Sequence, residues 1–313
     1  MSRALTFPGQ GSQAVGMGQE LAEAFAAARE VFEEVDDALG QNLSGLMANG
    51  PEDELTLTEN AQPALMAVSM AVIRVLESEG GFDMAKAAAC VAGHSLGEYS
   101  ALAASGALAL SDTARLLKTR GQAMQQAVPV GVGAMAALLG LDLEDAAVVA
   151  EEAAQGEVCT PANDNAKGQV VISGHKAAVE RALELAKEKG AKRAVLLQVS
   201  APFHCPLMQP AADAMKEALV GVRILPPKVP LYTNVTAAAT SDPETIRRKL
   251  VEQVTGMVRW KESVQNMATD GVTELAELGT GKVLTGLVKR IDRSLSGTAI
   301  NNPADIESFL ASL

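Results

Sequence analysis

A chain of 313 residues with 48% apolar side chains is long enough for one large α/β core with a smaller inserted unit, and it is too apolar to stay disordered. Lysine and arginine number 26 against 38 aspartates and glutamates, a net charge of −12 with no basic cluster interleaved with aromatics, so no nucleic-acid partner is expected. Three cysteines, Cys90, Cys159 and Cys205, show no C-x-x-C spacing, which indicates neither a disulfide framework nor a metal site and points to a reducing cytoplasm.

In chain order, Ala4-Leu5-Thr6-Phe7 reads as a first strand with no apolar signal region before it, so the N-x-[ST] matches at Asn42 and Asn234 carry no glycosylation. The glycine-rich run Phe7-Pro8-Gly9-Gln10-Gly11-Ser12-Gln13 follows, with Gly16 and Gly18 beyond. It fails as a nucleotide loop: Met17 stands where a P-loop needs lysine, and Ala14 ends the G-x-G-x-x-G pattern. Such a loop lines a pocket, where the Gln10 N–H is a candidate oxyanion donor. The longest apolar stretch, near 64–73, is broken by Ser69 and closed by Arg74, short of the ~18 residues of a membrane span, so no membrane partner is expected.

A small apolar run over 87–92 then enters Gly93-His94-Ser95-Leu96-Gly97, and a helical segment, 98–104, leaves it. Strand, sharp turn and helix in that order make a nucleophile elbow, in which flanking glycines let backbone pass close and Ser95 sits at a helix N-terminus. The alternative for Ser95 is an exposed helix-capping serine. A helix over 111–127, capped by Ser111-Asp112, carries the apolar stripe Leu116, Leu117, Ala123, Met124 and Ala127. Arg120 projects from that buried stripe, so its guanidinium must meet an anion, either a protein carboxylate or a substrate carboxylate.

From about residue 128 the pattern changes to strand 134–139, helix 143–155, strand 158–162, strand 169–173, helix 176–189 and strand 193–199. That β-α-β-β-α-β order is ferredoxin-like. It is placed as an insertion, 128–200, in a parallel α/β domain formed by 1–127 and 201–313. The Pro226-Pro227 and Pro243 neighbourhoods read as turns.

A nucleophilic serine needs a base, and only His94, His175 and His204 exist. His94 adjoins Ser95, where side chains point apart, and His175 opens a surface helix. His204, in Ser200-Ala201-Pro202-Phe203-His204-Cys205-Pro206, lies where the chain re-enters the main domain and is the candidate base. Cys205 beside it reads as a buried thiol.

Phe7 to Gln13, Gln62-Pro63-Ala64-Leu65, Gly93 to Gly97 with Glu98-Tyr99, Gly168-Gln169-Val170-Val171-Ile172-Ser173-Gly174, Pro202-Phe203-His204 and Gly281-Lys282-Val283-Leu284 together resemble the malonyl-CoA:acyl carrier protein transacylases of dissociated fatty acid synthesis. The resemblance spans essentially the whole chain. It implies a hydrolase-like α/β domain with a ferredoxin-like insert, and a malonyl group passing from CoA through Ser95 to the phosphopantetheine thiol of acyl carrier protein. By the same resemblance His204 deprotonates Ser95, Gln10 and Leu96 donate the oxyanion N–H groups, and Arg120 holds the malonyl carboxylate. The backbone carbonyl of Gln253 orients the histidine, and Gln62 and Asn165 belong to the substrate pocket. Phe203 should crowd an α-methyl on the acyl group and so favour malonyl over methylmalonyl.

No cofactor is implied beyond the substrate malonyl-CoA, the carrier protein is a transient partner, and a cytoplasmic monomer is expected. Because carrier proteins are acidic like this chain, docking calls for a local basic patch. The candidates are Lys187, Lys189, Lys192 and Arg193; Arg247-Arg248-Lys249; and Lys289-Arg290. A serine thioesterase and a non-enzymatic carrier-binding scaffold are the competing classes; neither needs Ser95, His204 and a buried Arg120 together.

Overall fold

The computed structural model describes residues 2–313. The main sheet has six strands: β1 (Arg3–Phe7), β2 (Cys90–Gly93), β7 (Leu231–Tyr232), β8 (Ala239–Thr240), β9 (Glu274–Leu278) and β10 (Ser296–Ile300). Their order is β10-β9-β1-β2-β7-β8, parallel throughout except that β8 runs antiparallel to β7. Helices cover both faces, so the central strands β1, β2 and β9 are buried along their full length and read as short continuous runs rather than alternations. The helix Thr58–Gly80 is apolar nearly all round because it is enclosed on every side, and it places Gln62 in its second turn.

The second sheet comprises β3 (Gly133–Leu139), β4 (Cys159–Ala166), β5 (Gln169–His175) and β6 (Arg193–Leu196), ordered β4-β5-β3-β6 and antiparallel at every pairing. Its helices, Leu143–Ala154 and Lys176–Glu188, pack on one face. Two-residue alternation sorts the strands: Ala136, Leu138, Val170 and Ile172 join those helices, whereas Met135 and Val171 turn to the main core. Parallel-sheet domain and ferredoxin-like unit thus both match the expected architecture.

Four local expectations are corrected. The strand expected over 193–199 ends at Leu196, where pairing with β3 runs out at Ala136, and the chain then becomes a wall of the cleft described below. The strand expected over 158–162 continues to Ala166, because two register shifts let the polar run Asn163-Asp164-Asn165 stay paired with β5. The helix expected from Ser111 begins at Leu110 with Ala109 as its cap and no side-chain capping bond; Asp112 instead pairs with Arg115. Pro243 opens the helix Pro243–Thr255 rather than a turn, its missing N–H being one the first turn leaves free, and Asp242 caps it. Among the described residues no helix is long and apolar enough to cross a membrane.

Candidate active site

The site lies at the carboxyl ends of β1 and β2, where the loop after β1 and the elbow after β2 meet. The elbow geometry explains its glycines. A Cβ on Gly93 would lie 1.9 Å from the Gly97 carbonyl, and one on Gly97 would lie 2.3 Å from the Phe7 carbonyl oxygen. Ser95 itself adopts φ 54°, a conformation costly for a non-glycine residue and held here by surrounding bonds. Asn234 supplies them: its Oδ1 accepts from the Ser95 N–H at 2.7 Å, and its Nδ2 donates to the Gly93 carbonyl at 2.7 Å. Ser95 is therefore the elbow residue of the helix Gly97–Ala104, not an exposed cap.

His204, also at positive φ, comes from the loop after the second sheet and meets the serine: Ser95 Oγ and His204 Nε2 are 2.7 Å apart. The other ring nitrogen, Nδ1, lies 2.9 Å from the Gln253 carbonyl and 3.1 Å from that of Gly256. Carbonyls only accept, so the proton sits on Nδ1, and Nε2 is left as acceptor for the serine hydroxyl. Burial, reinforced by the nearby Arg120 charge, pushes the imidazole down to about 3, so the ring is neutral at ordinary pH.

Arg120 is 1% exposed, and no carboxylate among the described residues pairs with it. Nη1 donates to Gln62 Oε1 at 2.8 Å; Nη2 donates to Gln253 Oε1 at 2.8 Å and to Ser95 Oγ at 3.1 Å. Nε has no partner among the described residues, and the guanidinium lies 5.6 Å from the Tyr99 ring centroid. Of the two readings left open by the sequence, an internal ion pair is ruled out. A buried cation whose direct partners are all neutral is chemically suited to receive an anion.

Gln253 does more than lend its carbonyl. Its Nε2 donates to the Ser95 carbonyl at 2.9 Å and to Glu98 Oε2 at 2.8 Å. Glu98 is fully buried, its Oε2 also accepts from the Asn234 N–H at 3.0 Å, and desolvation lifts its carboxyl to about 7. The backbone N–H groups of Gln10 and Leu96 donate to no acceptor among the described residues, whereas that of Ser95 is committed to Asn234. Gly9 lets the Gln10 loop approach, since a Cβ there would sit 2.8 Å from the His94 carbonyl oxygen.

Gln10, Gln62, Ser95, Leu96, Arg120 and His204 line a cleft of about 270 Å³ between the two sheets, with Met124, Met135, Leu197 and Phe203 as its apolar walls. Asn165 stands outside that wall. Its Oδ1 meets His94 Nε2 at 2.8 Å, fixing a ring that also packs on Trp260. Asn163, two residues earlier on the same strand, lines the cleft instead, with a buried Oδ1 that has no partner among the described residues. Cys205 is a buried thiol, as expected, its Sγ on the Pro202 carbonyl and its ionisation pushed up by burial. Asn234, Glu98 and Asn163 were missed by sequence reasoning. Asn234 was visible only as part of an N-x-T triplet, and Glu98 only as the residue after the elbow.

Comparison with known proteins fits this geometry. Residues 5–299 match the acyl transferase domain family. The malonyl CoA-acyl carrier protein transacylase of Escherichia coli K12 is 48% identical over 307 residues, 98% of each chain, and that of Bacillus subtilis 168 is 46% identical over 311 residues, 99% of this chain and 96% of the relative. A crystal structure of an acyl-carrier-protein-S-malonyltransferase from Bartonella henselae superimposes with a TM-score of 0.97 at 57% identity, covering 100% of this chain and 99% of that one. A malonyl-transacylase solved in complex with its type II PKS acyl-carrier protein gives 0.96 at 45% identity, with both chains fully covered (100%). An elbow serine on a histidine, beside a buried arginine without a counter-ion, thus sits in a chain that belongs to the acyl transferase domain family, among the malonyl-CoA:acyl carrier protein transacylases.

Proposed function

We propose that this protein transfers a malonyl group from malonyl-CoA to the phosphopantetheine thiol of an acyl carrier protein through a malonyl-serine intermediate. The observation that carries the substrate is Arg120, buried, free of any carboxylate among the described residues, and 3.1 Å from the nucleophile. A malonyl ester on Ser95 places its free carboxylate only two bonds beyond the ester carbon, within reach of that guanidinium.

In the first half-reaction Ser95 Oγ attacks the thioester carbon while its proton passes to His204 Nε2. The Nδ1–H, held between two carbonyls, keeps the ring aligned as it becomes imidazolium. The oxyanion takes the N–H groups of Leu96 and Gln10, the unengaged amides beside the nucleophile. The C–S bond then breaks and the CoA sulfur leaves with the proton from His204. In the second half the carrier thiol gives its proton to His204 and attacks the ester; the C–Oγ bond breaks and the proton returns to Ser95. Nothing in either half consumes a cofactor. The Phe203 ring in the cleft wall disfavours an α-methyl by about 1–3 kcal/mol, so malonyl is preferred over methylmalonyl.

The same reading divides the chain into an acyltransferase unit, 1–127 with 201–313, and a ferredoxin-like unit, 128–200. Three buried free thiols suit a reducing cytoplasm. The test is intact mass spectrometry after mixing with malonyl-CoA, then with carrier protein bearing its phosphopantetheine arm. A malonyl adduct that is absent in Ser95→Ala and moves to the carrier is the expected result. Release of CoA with no acyl group reaching the carrier would make the protein a thioesterase.

A further inference from the structure

We propose that Glu98 is a positioning residue that sets the acyl-group preference of the site by acting through Gln253 on Arg120. Arg120 and Glu98, a base and an acid, are both buried, yet they do not touch. Between them lies one neutral amide. Gln253 Oε1 accepts from Arg120 Nη2, and Gln253 Nε2 donates to Glu98 Oε2 and to the Ser95 carbonyl. Two acceptors on one side and a cation on the other leave that amide a single orientation.

The spacing has a chemical purpose. A buried guanidinium needs a counter-charge, but a direct carboxylate pair would occupy the N–H groups that must receive a substrate carboxylate. Placing the carboxyl group one amide away instead fixes the orientation of Gln253 against the guanidinium and leaves the fork open. Glu98 retains a cost that packing alone does not explain: its second oxygen, Oε1, is buried without a partner among the described residues. A support for the elbow alone would have no need of that buried carboxyl, since Asn234 already clasps Gly93 and Ser95 with its own amide.

The test compares single-turnover loading of Ser95 by malonyl-CoA and by acetyl-CoA, which lacks the carboxylate. Glu98→Ala frees the Gln253 amide to turn, and the malonyl-to-acetyl ratio of rates is expected to fall by about tenfold or more, the effect of one charge-assisted hydrogen bond. Glu98→Gln keeps an oxygen for both donors and restores most of the ratio. Gln253→Leu reproduces the loss, and adding Glu98→Ala to it lowers the ratio no further. Glu98→Asp, whose carboxylate falls one methylene short of Gln253, gives the same direction should the alanine variant not fold. Equal losses on both substrates, or losses that multiply in the double variant, would overturn the proposal. The inference rests on the malonyl-transfer reading: a wild-type protein that loads no malonyl sinks that reading, whereas normal loading with an unmoved ratio sinks only this one.

Discussion

The ferredoxin-like unit and the elbow region are built on opposite principles. In the former, the interior is almost wholly aliphatic: Ala136, Leu138, Ile172 and Val170 meet Ala146, Val149, Val179 and Ala182, and its one buried charge, Asp164, sits at the edge strand β4 and pairs with Lys261. Around the elbow, by contrast, Glu98, Arg120, Gln62, Asn234 and Gln253 are all buried and bonded mainly to one another, and Ser95 and His204 both hold positive φ. Burying polar groups costs desolvation that each bond only partly returns, so this region is retained for the chemistry it permits. The consequence is that damage should separate: truncation in the insert should cost stability and leave the chemistry per folded molecule intact, whereas truncation at the elbow should do the reverse.

The largest expected effect is at Arg120. Arg120→Ala should cut malonyl transfer by about 10²–10⁴-fold, the loss of two charge-assisted bonds to the substrate carboxylate, and acetyl transfer far less. Arg120→Lys should also be impaired, because an ammonium cannot reproduce the planar fork. Comparable losses on the two acyl groups, measured as kcat/KM, would remove Arg120 from carboxylate recognition. On the other side of the comparison, Leu138→Ala in the insert should cost about 2–5 kcal/mol in chemical denaturation while the rate of Ser95 loading per folded molecule stays near wild type. A loading defect as large as the stability defect would mean that the insert shapes the site more directly than its aliphatic core suggests.

A smaller effect concerns pH. With His204 as the proposed base, its imidazole held down to about 3, the limb of kcat/KM that reflects its protonation should fall below about pH 5, not near the ordinary histidine value. Stability has the same sign: a histidine with a depressed folded pKa stabilises above its unfolded pKa, and that contribution is lost as pH falls. Glu98, lifted to about 7, titrates near the ordinary histidine value, so the profile should be repeated in Glu98→Gln. An inflection between about pH 6 and 7 that survives the substitution would assign an ordinary pKa to His204 and break the prediction.

The contrast also explains what the sequence discloses. The insert was legible because its two-residue and helical periods are local signals, each strand declaring its own inward face. Ser95 was legible as a turn motif, His204 by elimination among three histidines, and Arg120 by its phase on a helix. Gln253, Gln62 and Asn165 came only from family resemblance, and the structure moved Asn165 behind His94 while bringing Asn163 to the cleft. Two register shifts in β4 decide that exchange, and no local pattern encodes them. Asn234 and Glu98 stayed hidden because their roles are made by partners distant in sequence: Asn234 is 139 residues from Ser95, and Glu98 is 155 from Gln253.

The smallest effect lies on the surface, where the two regions again differ. Of the basic clusters proposed to receive an acidic carrier protein, Lys187 pairs with Glu184, Lys189 with Glu152, Arg247 with Glu244, and Arg248 and Lys249 with Glu252. Lys289 and Arg290 are engaged by the Arg293 carbonyl and Gln169. Lys192 and Arg193 are exposed and pair with no acid among the described residues, and the strand that follows Lys192, β6, runs directly into the cleft wall at Leu197. A cation already neutralised by a neighbour offers little to an incoming anion, while an unpaired one attracts at long range. Reversing both Lys192 and Arg193 to glutamate should therefore raise the KM for carrier protein several-fold at low salt and leave loading from malonyl-CoA less affected, with the gap closing as ionic strength rises. The matched reversal of Arg248 and Lys249 should change the carrier KM by less than about twofold, since it breaks exposed pairs worth little to begin with. If the second pair of substitutions proves the more damaging, the carrier docks against the main domain's helix Pro243–Thr255, and the insert supplies only the wall of the cleft.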